Sequence, residues 1–460
     1  MDTNKACVVI LAAGRNTRMK SAKSKMLCEV LFKPMLSWVL DAVAQAGIPD
    51  ICTVVSEDAG DLLSLLPAHA ATAVQKERKG TGHAVMMAVD FIKNGGYSDV
   101  LVLYGDAPLI APADLQASRA AHRQSDAAVT VLTAELSDPS SYGRIVRENG
   151  AFRAIVEHRD ADEVTRQITE INSGIYWFRA DFLLEALASI TPANAQGEYY
   201  LTDTIAYALA NGYTAATCAA DARSVLGANT RRDLAELNHI AREELLNKHL
   251  DNGVDIPLSD GIMIGPDVTI GADTVLLPGT ILKGKTSIGT GCEIGPNSYL
   301  ENATVGDNCR VISSYIDSST LDEWVKVGPM SNIRPGSHLH AGVKIGDFVE
   351  IKNSDIGANT SMSHLTYVGD SDVGRGCNFG CGVVTTNYDG TNKYRTTIGD
   401  DVFIGCNTIL VPPVRVGNRA YSAAGTTVTE DVPDDALVIG RVRQTVKKDW
   451  SKRTAKYRGK

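Results

Sequence analysis

An aliphatic residue at every sixth position governs the second half of this chain: Ile264, Ile270, Leu276, Leu282, Ile288, Ile294 and Leu300, often with glycine next, as at Gly265, Gly271, Gly289 and Gly295. After five-residue steps the beat resumes at Val305, Val311, Ile316, Leu321, Val327, Ile333, Leu339, Ile345, Ile351 and Ile356, and later at Ile398, Ile404, Leu410 and Val416. No helix or alternating strand sustains that period. It fits a parallel β-helix, in which each hexapeptide gives a short strand, one inward anchor and a corner, and three close a coil. Coils bury their faces only against neighbours, so the ends need caps. The segment before the array and the basic tail after it are the candidates. Between Phe379 and Ile398 the phase breaks at VVTTNYDGTNKYRTT, whose polar, turn-forming residues require a projecting loop.

Up to about residue 228 the rule is different. Strand-like runs (Cys7 to Leu11, Cys52 to Val55, Val100 to Tyr104) alternate with helical patterns (Met35 to Ala46, Gly82 to Ile92). Such alternation predicts a mostly parallel sheet covered by helices, with ligands beyond the carboxyl ends of its strands. Thr230 to Leu250 spaces Leu234, Leu237, Ile240 and Leu245 as an amphipathic helix, which marks the domain boundary.

At 460 residues the chain exceeds what one core usually serves, and 44% apolar with 6% aromatic residues implies an aliphatic interior. The net charge of −9 gives no basic surface for tracking nucleic acid, so none is expected as a partner. Arg441 to Lys460 is nonetheless a basic appendage. The nine cysteines form no C-x-x-C pair, which argues against a disulfide framework or zinc cluster and for a reducing compartment. MDTNKACVVILAAG shows no cleavage pattern, and no apolar stretch reaches the ~18 residues of a membrane span. A cytoplasmic protein without a membrane span is expected.

The first strand leads into Leu11-Ala12-Ala13-Gly14-Arg15-Asn16-Thr17-Arg18-Met19, then Lys20, Lys23 and Lys25, with no acid from residue 12 to 28. Cations beside small residues suit a phosphate, although a charge run alone is also how a solvated face looks. Neither common phosphate-loop glycine pattern occurs in this loop. Asp106, after Tyr104 and Gly105, adds a carboxylate able to hold a hard cation such as Mg²⁺; its plainer reading is a turn cap.

On these residues the first half resembles the sugar-nucleotidyltransferase family, whose signature is similar to L-A-A-G-x-G-T-R-M followed by a lysine. From about Val8 to Arg443 the chain resembles the bacterial bifunctional N-acetylglucosamine-1-phosphate uridyltransferase/glucosamine-1-phosphate N-acetyltransferase family. The match includes Gln75, Gly80-Thr81-Gly82-His83, Tyr104-Gly105-Asp106, Tyr142-Gly143-Arg144-Ile145, Glu157-His158, Glu170-Ile171-Asn172 and Gly197 to Asp203. The resemblance implies an α/β Rossmann-like nucleotidyltransferase domain (1–229), a linker helix (230–250), a left-handed parallel β-helix acetyltransferase domain (251–440) and a basic tail (441–460).

It further implies that Leu11, Ala12, Ala13, Gly14, Gln75, Gly80, Thr81, Tyr104 and Gly105 hold UTP. Arg18 and Lys25 would neutralise its phosphates, Asp106 and Asn229 would bind Mg²⁺, and Gly143, Glu157 and Asn172 would hold the amino sugar. Asn16 stands where the family usually has its second glycine, and Ser24 where proline is common. Asn tolerates left-handed backbone, so a perturbed but working loop is expected.

In the array, the resemblance implies that Arg334, Lys352, Tyr367 and Asn378 bind glucosamine-1-phosphate while His364 accepts the amine's proton. Its acetyl-CoA positions fall on Cys381, Asn387, Tyr388, Cys406, Ala424 and Arg441. Cys381 replaces a more familiar Ala and Cys406 a Ser; small buried cysteines commonly just pack, and direct transfer needs no acyl-cysteine. His338 and His340 form an H-x-H pair without a nearby third ligand, which reads as two ordinary surface histidines. Homotrimers follow by resemblance.

The expected function is acetylation of glucosamine-1-phosphate by acetyl-CoA, then uridylyl transfer from UTP, giving UDP-N-acetylglucosamine and pyrophosphate for peptidoglycan and lipopolysaccharide synthesis. The alternatives are a sugar nucleotidyltransferase lacking acetyl transfer, or a non-catalytic exchange-factor-like binding subunit. Neither needs Arg18, Lys25, Asp106 and His364 together.

Overall fold

The computed structural model describes residues 5–14, 19, 24–139, 141–194, 196–453 and 456. The chain forms two compact units, Met1–Glu243 and Glu244–Lys460.

In the first unit the strands β1 (Ala6–Leu11), β2 (Asp50–Val55), β3 (Ala71–Val74), β4 (Asp99–Tyr104), β5 (Val129–Glu135), β6 (Gly143–Glu148), β7 (Ala151–Val156), β8 (Glu170–Arg179) and β9 (Ala215–Ala219) form one sheet among the described residues. Its order is β9-β5-β8-β4-β1-β2-β3, with β6 paired to β8 and β7. Strand β1 runs parallel to both neighbours, whereas β8 is antiparallel to β4 and β5. Cys7, Val9 and Leu11 join one core cluster, and Ala6, Val8 and Ile10 another. A strand covered on both faces has no reason to alternate, which explains the unbroken apolar run. The chain order reverses at β1, so the loops after Leu11 and Tyr104 open at the same edge.

The segment expected as one helix over Gly82 to Ile92 is two, Thr81–Met86 and Val89–Gly95. The N–H groups of Met87 and Ala88 donate to Ala84 and Val85, three residues back. That tightening ends the first helix and re-aims the second.

The connecting helix α1 runs Arg231–Asp251. Its start is a reciprocal cap: Thr230 Oγ1 accepts from the Asp233 N–H at 3.2 Å, while the Asp233 carboxylate accepts from the Thr230 N–H at 2.9 Å. The same carboxylate accepts from the Asn229 N–H at 2.9 Å. Asn229 is thereby fixed before the first turn.

The second unit is a parallel β-helix. Met263 pairs with Ile281 and Ile281 with Tyr299, each three hexapeptides further on. The anchors from Ile264 to Val416 are buried except Ile270, which lies on the edge strand of its sheet and is half-buried. Burying one such side chain is worth roughly 1.5–3 kcal/mol, repeated at each step. Buried hydroxyls close the corners: Thr274 donates to Gly289 O at 2.8 Å and Thr360 to Gly374 O at 2.9 Å.

Val373 pairs with Ile398, and between them Asn378–Phe379 and Val384–Thr385 stay in the coil while the stretch from Asn387 to Tyr394 projects from it. Tyr388 and Lys393 form an antiparallel bridge. At the tip, Asp389 accepts from the N–H groups of Thr391 (2.7 Å) and Asn392 (2.6 Å) and from the Tyr394 hydroxyl (3.0 Å). The insertion is a tied hairpin.

Leu246, near the end of α1, belongs to the β-helix core. The expected second cap differs: Ala436 and Val438 pack on the core, whereas every described residue from Arg441 onward is exposed. Even the tail's apolar residues Val442, Val446 and Trp450 are exposed, so it does not cover the last coil. Among the described residues no helix is long and apolar enough to cross a membrane.

Candidate active sites

In the first unit a cavity of about 540 Å³ opens at the edge where the loops after β1 and β4 meet. Leu11, Ala13, Gly14, Lys25, Gln75, Gly80, Thr81, Tyr104 and Asp106 line it. A neighbouring cavity of about 240 Å³ shares Lys25, Tyr104 and Asp106, and is otherwise lined by residues including Gly143, Glu157, Asn172 and Asn229. The residues expected to hold nucleotide and sugar thus sit in adjoining chambers. Ala12 packs into the core beneath, with its N–H on Val54 O. Gly105 lies against Met26 and Leu36, where a Cβ would come within 3.1 Å of both side chains. Arg15, Asn16, Arg18, Lys20 and Lys23 lie outside the described residues, and with them the expectations for Arg18 and Asn16.

Lys25 stands where the chambers meet. Its ammonium is ion-paired with Asp106 and donates to Asn229 Oδ1 at 3.4 Å. Two hard oxygens therefore already converge on a positive charge, which is what a magnesium site supplies. Gln75 Nε2 donates to Gly80 O at 3.2 Å and meets His83 Nδ1 at 3.0 Å, holding the glycine turn beside the cavity. Gly80 has φ +106°, and a Cβ there would lie 2.4 Å from Tyr199 O. Only glycine fits.

On the sugar side, β8 is irregular between Asn172 and Tyr176. The Asn172 carboxamide donates to the Tyr176 hydroxyl at 2.7 Å and accepts from the Gly174 N–H at 3.0 Å. Burial raises the Glu157 carboxyl above its ordinary range, opposed by the Thr202 hydroxyl, which donates to it at 3.4 Å. A buried carboxylate with spare acceptor capacity suits sugar hydroxyls.

Arg78 is a cavity-lining cation that sequence reasoning missed. Its Nε donates to Ala13 O at 2.6 Å, pinning the front loop. Its place in the charged run before Gly80-Thr81-Gly82 was the available signal.

In the β-helix, Arg334 and Lys352 lie on successive coils, joined by the Arg334 N–H to Ile351 O bond. Arg334 pairs with Glu350 at 2.7 Å and Lys352 with Asp370 at 3.4 Å. Asn353 donates to Asp370 at 2.6 Å, and Asn387 also bonds it. Burial would raise the Asp370 carboxyl, but these donors and Lys352 hold it below the usual range. The Tyr367 hydroxyl meets Asn387 Oδ1 at 3.4 Å.

Lys393, on the hairpin, is a second residue the sequence reading missed. Close approach to the Lys352 ammonium, with Arg334 beyond, depresses its basicity. Three cations therefore share a location with fewer compensating acids than its charge asks for. Such an arrangement suits an anion.

His364 is exposed at the corner beside Leu365, and its ring makes no hydrogen bond or ion pair among the described residues. Below it the edge is built coil on coil: Gly382 N–H to Leu365 O, Asn407 N–H to Cys381 O and Gly425 N–H to Cys406 O. Cys381, Cys406 and Ala424 thus occupy equivalent positions on successive coils, and Arg441 Nε donates to Ala424 O at 2.7 Å. Both thiols are exposed, which corrects the packed role expected for them. They sit at outward corners, where the coil's core does not reach. Asn378 is exposed on the coil that pairs with Ser361, and Tyr388 is 57% exposed on the hairpin.

A nucleotide-sized cavity at the switch point of an α/β sheet, followed by hexapeptide coils bearing a cation cluster and an open histidine, defines a sugar-nucleotide transferase fused to an acyltransferase-type β-helix. The family model for nucleotidyl transferase matches residues 7–246, and that for the hexapeptide repeat of succinyl-transferase matches 285–312 and 395–430. The chain is 48% identical over 445 residues to the bifunctional protein GlmU of Acetivibrio thermocellus, covering 96% of each. It is 46% identical to that of Caldanaerobacter subterraneus (96% of each) and 44% to that of Halalkalibacterium halodurans (96% of this chain, 97% of the relative). The chain belongs to the bifunctional GlmU family, and its coils are those of a left-handed β-helix.

Proposed function

We propose that the two sites carry out consecutive reactions: acetylation of glucosamine-1-phosphate by acetyl-CoA in the β-helix, then uridylyl transfer from UTP in the α/β unit. The product, UDP-N-acetylglucosamine, is an activated sugar for cell-envelope polymers. The observation that carries the reading is the coexistence in one chain of the Lys25–Asp106–Asn229 cluster between two chambers and the Arg334–Lys352–Lys393 cluster on the coils of His364.

In the acetyl step the cations take the sugar phosphate, with Tyr367 and Asn378 beside it. The 2-amine attacks the thioester carbonyl, His364 takes the amine proton, and CoA leaves as the thiol once its sulfur is protonated. Cys381, Asn387, Tyr388, Cys406, Ala424 and Arg441 form the edge assigned to acetyl-CoA. In the second step a sugar-phosphate oxygen attacks the α-phosphorus of UTP and pyrophosphate leaves. Lys25 and Arg18 offset the two anions, Leu11 to Gly14, Gln75, Gly80 and Thr81 hold the nucleotide, and Gly143, Glu157 and Asn172 hold the amino sugar. Mg²⁺, bound by Asp106 and Asn229, would supply further charge neutralisation on the phosphates.

A homotrimer is the proposed assembly. Phe348 aligns with Leu365 between the Asp347–His364 and Val349–Thr366 pairs, and Met330 occupies the same corner one coil earlier. Their exposures are 60% (Met330), 62% (Phe348) and 59% (Leu365). Three large apolar side chains at corners with positive φ, next to His364, form a surface that a second copy would cover. Free thiols at all nine cysteines, with UTP and acetyl-CoA as co-substrates, support a cytoplasmic enzyme.

The test is an omission series. With glucosamine-1-phosphate, acetyl-CoA and UTP present, the protein releases CoA, pyrophosphate and UDP-N-acetylglucosamine. Without acetyl-CoA, nucleotide-sugar formation falls at least tenfold and is restored by N-acetylglucosamine-1-phosphate. Equal rates with and without acetyl-CoA would contradict the reading.

A further inference from the structure

The H-x-H pair is not two ordinary surface histidines, because the coil geometry supplies the third ligand that sequence proximity did not. Leu339 points inward and is fully buried, so His338 and His340, on either side of it, both face outward. Thr320 pairs with His338, which sets Asp322 opposite His340 on the preceding coil; Asp355 pairs with His338 on the following coil. Both rings therefore stand between two carboxylates. On one side, His338 Nε2 is 2.9 Å from Asp322 Oδ1 and His340 Nδ1 is 3.2 Å from Asp322 Oδ2. On the other, Asp355 Oδ1 is 3.0 Å from His340 Nε2, and its Oδ2 is 3.7 Å from His338 Nδ1. The ring centroids are 3.9 Å apart.

We infer that Asp322, His338 and His340 form a site for a divalent transition-metal cation of the zinc class, with Asp355 holding the two rings from behind. The three side chains each offer one ligand atom, and these atoms all lie within 4.8 Å of one another. Metal bonds of about 2.0–2.1 Å in tetrahedral array put neighbouring ligand atoms about 3.3 Å apart. The 2.9 and 3.2 Å separations across Asp322 are close to that edge. A neutral imidazole carries one proton, yet each ring here turns both nitrogens to carboxylates. With the protons on the Asp355 side, the Asp322 side presents lone pairs to lone pairs, and a cation between them resolves the conflict. A carboxylate on the far nitrogen is the usual orienting partner of a metal-bound histidine. Two imidazoles favour zinc, cobalt or nickel over magnesium. The ligands come from adjacent coils, with Asp355 on a third, so the ion would tie the stack together and keep a coordination position open to solvent.

The competing state is two protonated histidines in an ion-paired square, with no metal. To separate them, the full-length protein, stripped with chelator and held in excess Mg²⁺ to fill the oxygen-rich site, is titrated with Co²⁺ and then Zn²⁺. The expected result is one equivalent of Co²⁺ per chain with visible d–d bands, displaced by Zn²⁺, and a Zn²⁺-dependent rise in Tm. Both signals vanish in the His338→Gln/His340→Gln variant, which retains wild-type circular dichroism and both transfer activities. Asp355→Asn weakens Co²⁺ binding about 10- to 100-fold. If the double variant misfolds, Asp322→Asn serves in its place, with the same loss expected. No saturable binding up to 100-fold excess metal, unchanged stoichiometry in the variants, or a thiolate charge-transfer band placing the ion on cysteine would each overturn the assignment.

Discussion

Lys25 and Asp106 are ion-paired where the nucleotide-side and sugar-side chambers meet, and Asn229 Oδ1 completes the cluster 3.4 Å from the ammonium. In the proposed uridylyl transfer, substrate phosphate would draw the ammonium of Lys25 and a bound Mg²⁺ would be held by the Asp106 carboxylate, so the pair would separate. Lys25→Met is therefore expected to lower kcat for uridylyl transfer by about 10²–10³-fold, the scale of one lost charge-stabilising donor, while CoA release stays within twofold. Steady-state assays of each half-reaction read this directly.

Glu157 gives a signed pH prediction. Its folded-state pKa is raised by burial, so its contribution to stability is present below the ordinary carboxyl range and is lost as pH rises through the shifted value. Glu157→Gln removes the charged form that burial disfavours. Its Tm should rise at neutral pH, with the gain shrinking on acidification, while KM for N-acetylglucosamine-1-phosphate increases about tenfold. A Tm that falls at pH 7 would mean that the carboxylate is structurally favourable there.

Lys393 joins Lys352 and Arg334 from the hairpin, whose shape is held by the Tyr388–Lys393 bridge and the Asp389 tip. A charge-assisted hydrogen bond to phosphate is worth about 1.5–3 kcal/mol. Lys393→Ala should accordingly raise KM for glucosamine-1-phosphate about 10- to 100-fold with a smaller effect on kcat. Equal losses in both parameters would instead place Lys393 in the transition state.

Cys381 and Cys406 lie exposed on successive coils of the edge assigned to acetyl-CoA. Iodoacetamide should abolish acetyl transfer, acetyl-CoA should slow that inactivation, and uridylyl transfer should persist. The Cys381→Ala/Cys406→Ser variant should resist the reagent and keep acetylation within about threefold, since direct transfer needs no acyl-cysteine. A collapse of acetylation in that variant would favour a covalent route.

Phe348, 62% exposed at a corner with φ +58°, is the centre of the apolar stripe beside His364. Phe348→Lys should shift the protein from trimer toward monomer in sedimentation and reduce acetyl transfer at least tenfold, with uridylyl transfer retained. An unchanged sedimentation coefficient would remove the stripe from the interface.

The repeating architecture was legible because one inward side chain per hexapeptide is a strict geometric demand, and Val311, Ile333 or Ile404 could not be polar without opening the core. The chambers of the α/β unit were legible through the family resemblance, which named Gly80, and the structure gives the reason: a tight turn there excludes a Cβ. Arg78 and Lys393 were not: a surface cation has no period, and its target lies elsewhere in the sequence, as Ala13 does for Arg78. The outward thiols of Cys381 and Cys406 were misjudged because residue type says little about which side of a corner a small side chain takes. The Asp322–His338–Asp355 alignment was hidden for another reason. Residues one coil apart are strangers in sequence until the coil length is known.

The central claim is that two separable active sites share this chain. Asp106→Ala and His364→Ala, each assayed for CoA release and for UDP-sugar formation from N-acetylglucosamine-1-phosphate, test it most directly. Asp106→Ala should lose nucleotide-sugar formation by at least 10²-fold with CoA release intact, and His364→Ala should show the reverse. Loss of both activities in either folded variant, or full retention of both in the two variants, would contradict it.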